Sequence, residues 1–246
     1  MQFNFACQKG LPCFTRCCQD VNIFLSPYDV VRIKNRLGIS SEEFLDAYTT
    51  VLVHRDSGVP VVRLNMVGED RKCPFITSEG CSIYTDRPWA CRMAPVDVDD
   101  AGNLKFILDR TECLGLNEPT SWTLEEWMAD QGLDAYPEVE AAFNEIMSSA
   151  PLKEKYVLNP ELTGMFLMAA YDVDRFRRFV FESGFFKVFD VPAATVEAVR
   201  TDDVELLKLG FRWLKFGLLD RNALKIREEE VEARKAEAVK GSKAPR

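Results

Sequence analysis

All eight cysteines of this 246-residue chain fall in its first half: Cys7, Cys13, Cys17, Cys18, Cys73, Cys81, Cys91 and Cys113. A chain so divided must fold its first half around thiols and its second half without them. An even count suits disulfides in a secreted protein. The N-terminus, Met-Gln-Phe-Asn-Phe-Ala-Cys, has neither a basic n-region nor a long apolar h-region, so nothing in it directs export. In a reducing cytoplasm, the expected location, such clustering points first to metal or cluster binding. A redox disulfide or unrelated buried thiols are the alternatives.

The single histidine narrows the ligand chemistry. A zinc finger of two cysteines and two histidines, a three-histidine zinc site and a two-histidine-one-carboxylate iron site each need more than one imidazole. His54 lies in Val-Leu-Val-His-Arg-Asp and reads as a half-exposed strand residue rather than a ligand. Any metal is therefore held by thiolates, with a carboxylate as a further option, which leaves structural zinc or an iron–sulfur cluster. Zinc ribbons take paired ligands from two knuckles of C-x2–4-C spacing. Here Cys13 and Cys17 make one such pair, with Cys18 directly after, and the other gaps are longer. Ligands gathered from several loops suit a multi-iron cluster at least as well as one tetrahedral ion, so the cluster is favoured slightly over zinc. Adjacent Cys17 and Cys18 point apart in most backbone conformations, so they serve two centres, or one ligates and the other packs.

Composition excludes other classes. Lys and Arg number 31 against 39 Asp and Glu, a net charge of −8, which disfavours general nucleic-acid binding. No apolar run approaches the roughly 20 residues of a membrane span, so no membrane association is expected. A Gly-x-Gly-x-x-Gly turn, a Walker Gly-Lys-Ser/Thr and a Gly-x-Ser-x-Gly elbow are all missing. One histidine makes a Ser-His-Asp enzyme improbable. Acidic pairs Asp99-Asp100 and Asp202-Asp203 read as structural, one at a hairpin turn and the other at a helix start.

The pattern along the chain predicts an α+β fold. Ser26-Pro27 and Ser40…Glu43 open helices, the first closed by Gly38. Val51–Val53 and Val59–Leu64 read as a hairpin turning at Asp56-Ser57-Gly58, and Val96–Asp109 as a second one. From Trp122 the texture becomes helical. Thr123 caps a short helix, Tyr136–Met147 forms another, and Leu162–Phe181 is expected as one long helix whose Met and aromatic stripe packs a core. Further helices are expected over 194–200, 203–216 and 222–239. The expected organisation is a cysteine-rich α+β domain over 1–118, a helical domain over 119–238 and a flexible tail over 239–246.

The order Cys7…Cys13…Cys17-Cys18, then Val21-Asn22-Ile23-Phe24-Leu25-Ser26-Pro27-Tyr28-Asp29-Val30-Val31-Arg32-Ile33, then Leu37-Gly38-Ile39-Ser40…Glu43-Phe44…Tyr48, resembles the YkgJ-like cysteine-cluster family. This is also called the CxxCxxCC, or zinc- or iron-chelating, domain. The resemblance continues in Cys73-Pro74-Phe75-Ile76…Gly80-Cys81-Ser82-Ile83-Tyr84…Arg87-Pro88…Cys91-Arg92…Pro95 and closes with Cys113-Leu114-Gly115-Leu116. It covers about residues 5–118. The chain departs from the family at its start, where Cys7 and Cys13 are more widely spaced than is usual.

The resemblance implies chelation of zinc or iron by these cysteines. Flagellin lysine N-methylases carry a similar cluster, which raises protein modification as an alternative activity; a structural zinc module that mediates protein interactions is a second. An unidentified protein partner or substrate is expected. Arg87 and Arg92 are expected either to donate to sulfurs or an anionic ligand, or to pair with Asp86 or Asp29. Tyr84 is expected as a core aromatic, and Pro88 as the residue that fixes the turn before Cys91.

Overall fold

A computed structural model describes residues 2–99, 102–149, 158–227 and 229. The described residues form two compact units, one within Met1–His54 and Pro60–Ala141, the other within Arg55–Val59 and Ala142–Arg246. The fold is α+β, with small antiparallel sheets in the first unit and helices in the second.

The first unit opens with β1 (Gln2–Asn4), followed by a loop that carries four cysteines and ends in a 3₁₀ turn at Arg16–Cys18. β2 (Phe24–Leu25) leads into α1 (Pro27–Leu37). Ser26 starts this helix as its pattern implies: its Oγ accepts from Asp29 N at 3.2 Å, and the Asp29 carboxylate accepts from Ser26 N at 2.9 Å. The same reciprocal cap, Ser40 with Glu43, starts α2 (Ser41–Tyr48). β3 (Thr49–Val53) and β4 (Pro60–Leu64) pair as the expected hairpin, with Val51 opposite Val62, and β2 adds to the far side of β4.

β5 (Ile76–Thr77) and β6 (Gly80–Cys81) form a short hairpin, and α3 (Trp89–Met93) carries Cys91. The second expected hairpin is β7 (Val96–Val98) with β8 (Leu104–Phe106). β9 (Ser121–Thr123) pairs antiparallel with β1, Phe3 opposite Trp122. It runs into α4 (Leu124–Asp130), capped by Thr123 with Glu126, and then α5 (Ala135–Ser148). The first unit thus takes in residues 119–141, beyond the point where the sequence texture changes. The reason is packing: Trp127, Leu133 and Tyr136 are buried in one core with Phe3, Phe5, Met93, Val96 and Leu116. The Trp127 indole N–H also donates to Met93 O at 3.1 Å.

In the second unit, Leu158 N donates to Ser57 O and Thr163 Oγ1 to Gly58 O, both at 2.8 Å, which ties the 55–59 turn to the helices. The expected single helix over 162–181 is two, α6 (Pro160–Ala170) and α7 (Val173–Glu182). Tyr171 and Asp172 leave helical geometry, and the Asp172 carboxylate caps the new helix by accepting from Arg175 N. The aromatic stripe is core: Phe166, Met168, Tyr171, Phe176 and Val180 are buried.

α8 (Phe185–Val188), α9 (Ala193–Ala198) and α10 (Asp203–Leu218) complete the unit. Asp202 caps α10 by accepting from Val204 N at 2.8 Å and Glu205 N at 3.1 Å. α10 presses its Gly210 onto α6, where an added Cβ would lie 2.3 Å from Ala169 O. Residues 222–227, expected to begin a helix, instead run back along Phe189, with Arg227 N donating to Val188 O at 2.9 Å. The rest of that expected helix, and the expected tail over 239–246, lie outside the described residues. Among the described residues no helix is long and apolar enough to cross a membrane.

Candidate metal centre

Two backbone ties gather the N-terminal cysteines with Cys113. Ala6 N donates to Gly115 O at 3.1 Å, and a Cβ on Gly115 would stand 2.6 Å from Ala6 O, so the two strands of chain touch only because residue 115 has no side chain. Next to this contact Leu114 N donates to the Cys13 sulfur at 3.3 Å. Cys7, Cys13, Cys17 and Cys113 line one cleft, which Cys91 also reaches. Cys13 is buried, whereas Cys7 and Cys17 are exposed.

A different ladder gathers the others. Cys73 N donates to Cys18 O at 2.8 Å, Gln19 bridges Lys72, and Asp20 N donates to Arg71 O at 2.9 Å. From Cys73 the chain enters the β5–β6 hairpin, in which Cys81 lies opposite Ile76. Cys91 arrives on α3. That helix is anchored at its start by Trp89 N donating to the buried Asp29 carboxylate at 2.9 Å, which also accepts from Tyr136 Oη at 2.6 Å.

The thiols perturb one another. Burial pushes the Cys73, Cys81 and Cys113 thiols up, an effect partly offset by nearby backbone N–H groups, of Phe75 at Cys73, of Ile83 at Cys81, and of Leu116 and Gly115 at Cys113. Cys7 is pushed up to about 11 by partial desolvation at the mouth of a cleft, then by negative charge on Cys17, Cys113 and Cys13. Burial, then charge on Cys73, Asp29 and Cys81, raises Cys91 to about 12. Cys17 is lowered to about 7, chiefly because the Cys18 thiol donates a hydrogen bond to it. Cys18 is raised by the same bond, by burial and by the charges of Cys17, Cys91 and Cys73.

Arg87 is the cation among these sulfurs. Its charge favours the thiolates of Cys7, Cys17, Cys81 and Cys91. The guanidinium lies over the Tyr84 ring, 3.9 Å from its centroid, and donates to Gln131 Oε1, while its Nε is buried with no hydrogen-bond partner among the described residues. Tyr84 is not in the core as expected but 57% exposed, its ring serving as a platform for Arg87.

Arg92 departs from both readings of it. Its guanidinium is spent on the backbone carbonyls of Arg87, Gln131 and Thr85, which fixes the loop before α3. Asp86 pairs with Arg32 instead, at 3.1 Å. Gln131 carries no signal in the sequence, since it acts through a contact made by tertiary folding.

A cleft of about 700 Å³ opens beside the sulfurs, lined by Cys7, Cys13, Cys17, Cys91 and Cys113 together with Arg87. The donor set fits a thiolate-held metal: sulfurs served by amide N–H groups, and a buried cationic nitrogen with an unused proton. Among the described residues no three Cys, His, Asp or Glu side chains already stand at the spacing of a single bound ion. His54 follows β3 and is exposed.

Residues 6–114 match the model of the family CxxCxxCC, described as a putative zinc- or iron-chelating domain. No curated protein and no solved structure matches the chain. The matched stretch takes in all eight cysteines and Arg87, and it ends before β9, whose pairing with β1 closes the unit around it.

Proposed function

We propose that this chain is a thiolate-ligated metal protein of the iron–sulfur type, with ligands drawn from Cys7, Cys13, Cys17, Cys18, Cys73, Cys81, Cys91 and Cys113. The observation that carries this reading is that Cys7, Cys13, Cys17, Cys91 and Cys113 line one cleft with Arg87, where Leu114 N donates to the Cys13 sulfur at 3.3 Å. Thiolate is the form of cysteine that binds metal. All-thiolate donors drawn from separate loops, with no imidazole among them, favour a cluster over a zinc ribbon. A bound cluster would supply a one-electron redox site. Arg87 would offset the negative charge of the thiolates and offer its Nε–H to a sulfur.

The cleft favours an enzyme as a second reading, because it leaves Cys7 and Cys17 open to a substrate instead of sealing them beneath apolar side chains. In that reading the chain modifies a protein or a smaller substrate that lies in the cleft. Purification under strict anaerobiosis, followed by iron, zinc and acid-labile sulfide analysis, tests the main proposal. The expected result is iron with sulfide and a broad visible absorption that bleaches on reduction. A colourless, zinc-loaded protein from iron-replete cells would overturn the cluster assignment.

A further inference from the structure

We propose that Arg32, Arg87 and Arg92 form a separate binding site, a pocket that takes the carboxylate of an organic ligand. It goes beyond the reading above, because none of its residues is a proposed metal ligand. A cavity of about 490 Å³ is lined by the three arginines with Tyr84, Asp130 and Gln131. They arrive from four segments of the first unit. Arg32 comes from α1, Tyr84 and Arg87 from the turn before α3, Arg92 from α3, and Asp130 and Gln131 from the end of α4.

The three guanidiniums differ in what they have left to give. Arg92, only 5% exposed, is fixed in the wall: its Nε donates to Arg87 O at 2.8 Å, and its Nη1 and Nη2 to Gln131 O and Thr85 O. It supplies charge rather than a free donor. Thr85 O also accepts from Arg32 Nη2 at 2.7 Å, so two guanidiniums converge on one carbonyl oxygen. Arg32 Nη2 bonds Asp86 as well, at 3.1 Å. Arg87 donates to Gln131 Oε1, while Gln131 Nε2 donates to Asp130 at 2.7 Å.

Among the described residues, the two buried side-chain nitrogens without a hydrogen-bond partner are Arg32 Nε and Arg87 Nε, and both residues line this pocket. Unpaired buried donors and like charges packed together each oppose folding. An oxyanion in the pocket relieves both. The charge balance then selects its kind. Asp86, bonded to Arg32, and Asp130 in the wall offset two of the three positive charges. The one that remains matches a single carboxylate better than a doubly charged phosphate, and the planar arginine fork fits a carboxylate in two-pronged fashion. Tyr84 and Arg87 also line the cysteine cleft, so a ligand anchored here can extend past them toward the thiols.

The test uses phenylglyoxal, which modifies arginine, with the modified residues mapped by mass spectrometry on the wild-type chain as purified. Acetate should protect Arg32 and Arg87 saturably, whereas acetamide, and chloride at equal ionic strength, should not. Equal modification of both residues with acetate and with acetamide would overturn the site. Phosphate that protects at lower concentration than acetate would overturn the carboxylate assignment. Tighter protection by N-acetyl-alanyl-alanine than by hexanoate would support the site with a peptide terminus as its source, and the reverse would support it with a small acid.

Arg32→Gln should raise the acetate concentration needed to protect Arg87 by about tenfold, the effect of losing one charged hydrogen-bond donor. Arg200→Gln removes an exposed positive charge paired with Glu197 in the second unit and should leave that concentration unchanged. The same result from both variants would reduce the effect to net charge and overturn the site. Should Arg32→Gln fail to fold, the wild-type protection pattern decides. A wild-type chain without metal would refute the earlier reading and leave this site standing, whereas unprotected arginines in a metal-loaded chain would refute this site alone.

Discussion

The amide of Cys73 donates to the carbonyl of Cys18 at 2.8 Å, fastening the end of the N-terminal cysteine loop to the start of the β5–β6 hairpin. Fifty-four residues separate the two in the chain, yet this bond makes them neighbours in a ladder that Gln19 and Lys72 extend. A metal bound there would cross-link segments that the hydrogen bonds have already aligned, which lowers the ordering entropy left for ligation.

Gly115→Ala tests the other tie. The new methyl would meet Ala6 O at 2.6 Å and the Phe5 ring at 2.9 Å, so the cysteine loop must move away. Overpacking of this kind costs about 1–3 kcal/mol. The variant should melt several degrees lower and retain less metal, whereas Gly10→Ala, which meets nothing within 4 Å, should lose far less of either. Equal behaviour of the two variants in thermal unfolding would count against the contact.

Arg87→Met should weaken metal retention at neutral pH. The substitution removes the positive charge that favours the thiolates of Cys7, Cys17, Cys81 and Cys91. Challenge with a fixed concentration of chelator should strip the variant several-fold faster than the wild type. Arg87→Lys should fall between them, because it keeps the charge but loses the planar stack on Tyr84. No change in the stripping rate of Arg87→Met would remove Arg87 from the site.

Glu140 gives a pH dependence of known sign. Burial pushes its carboxyl up to about 7, although Tyr28 N donates to it at 3.0 Å. The folded chain therefore holds this proton more tightly than the unfolded chain, and stability contributed here falls as pH rises from about 4.5 to about 7. The loss is on the order of 3 kcal/mol. Glu140→Gln keeps an acceptor for Tyr28 N and should flatten that slope in denaturant titrations run across the window. Parallel pH profiles for the two proteins would contradict it.

Metal removal should loosen the first unit selectively. Thiolate–metal bonds formed only in the folded state contribute to its stability. Hydrogen exchange after chelation should show faster exchange around residues 13–18 and 73–91, with protection kept in α6, α7 and α10. An unchanged exchange pattern after verified metal loss would mean that the centre does not hold the fold together.

The local elements were legible because their causes are local. Ser26 with Asp29, Ser40 with Glu43 and Thr123 with Glu126 each close a cap within four residues, so the helix starts can be read directly. The hairpin from Val51 to Leu64 follows in the same way from β-branched strands around a Ser-Gly turn. The break at Tyr171–Asp172 was hidden inside an apolar run, since the helix period continues through it. It becomes visible only once Asp172 is seen to be buried and to cap α7.

The chain itself determined which atoms could do chemistry: eight thiols before residue 114, one histidine, and an arginine-bearing string from Cys81 to Arg92. From these comes the match of residues 6–114 to the CxxCxxCC model. Tertiary structure alone decided the role of Arg92 as a backbone clamp and the exposure of Tyr84 beneath Arg87. It likewise decided that Trp127 and Tyr136, well past the last cysteine, belong to the core of the cysteine-bearing unit. The physical reason is range. Caps and turns are set by neighbours a few residues away, whereas the meeting of Cys18 with Cys73, or of Ala6 with Gly115, depends on backbone hydrogen bonds and close packing between segments more than fifty residues apart.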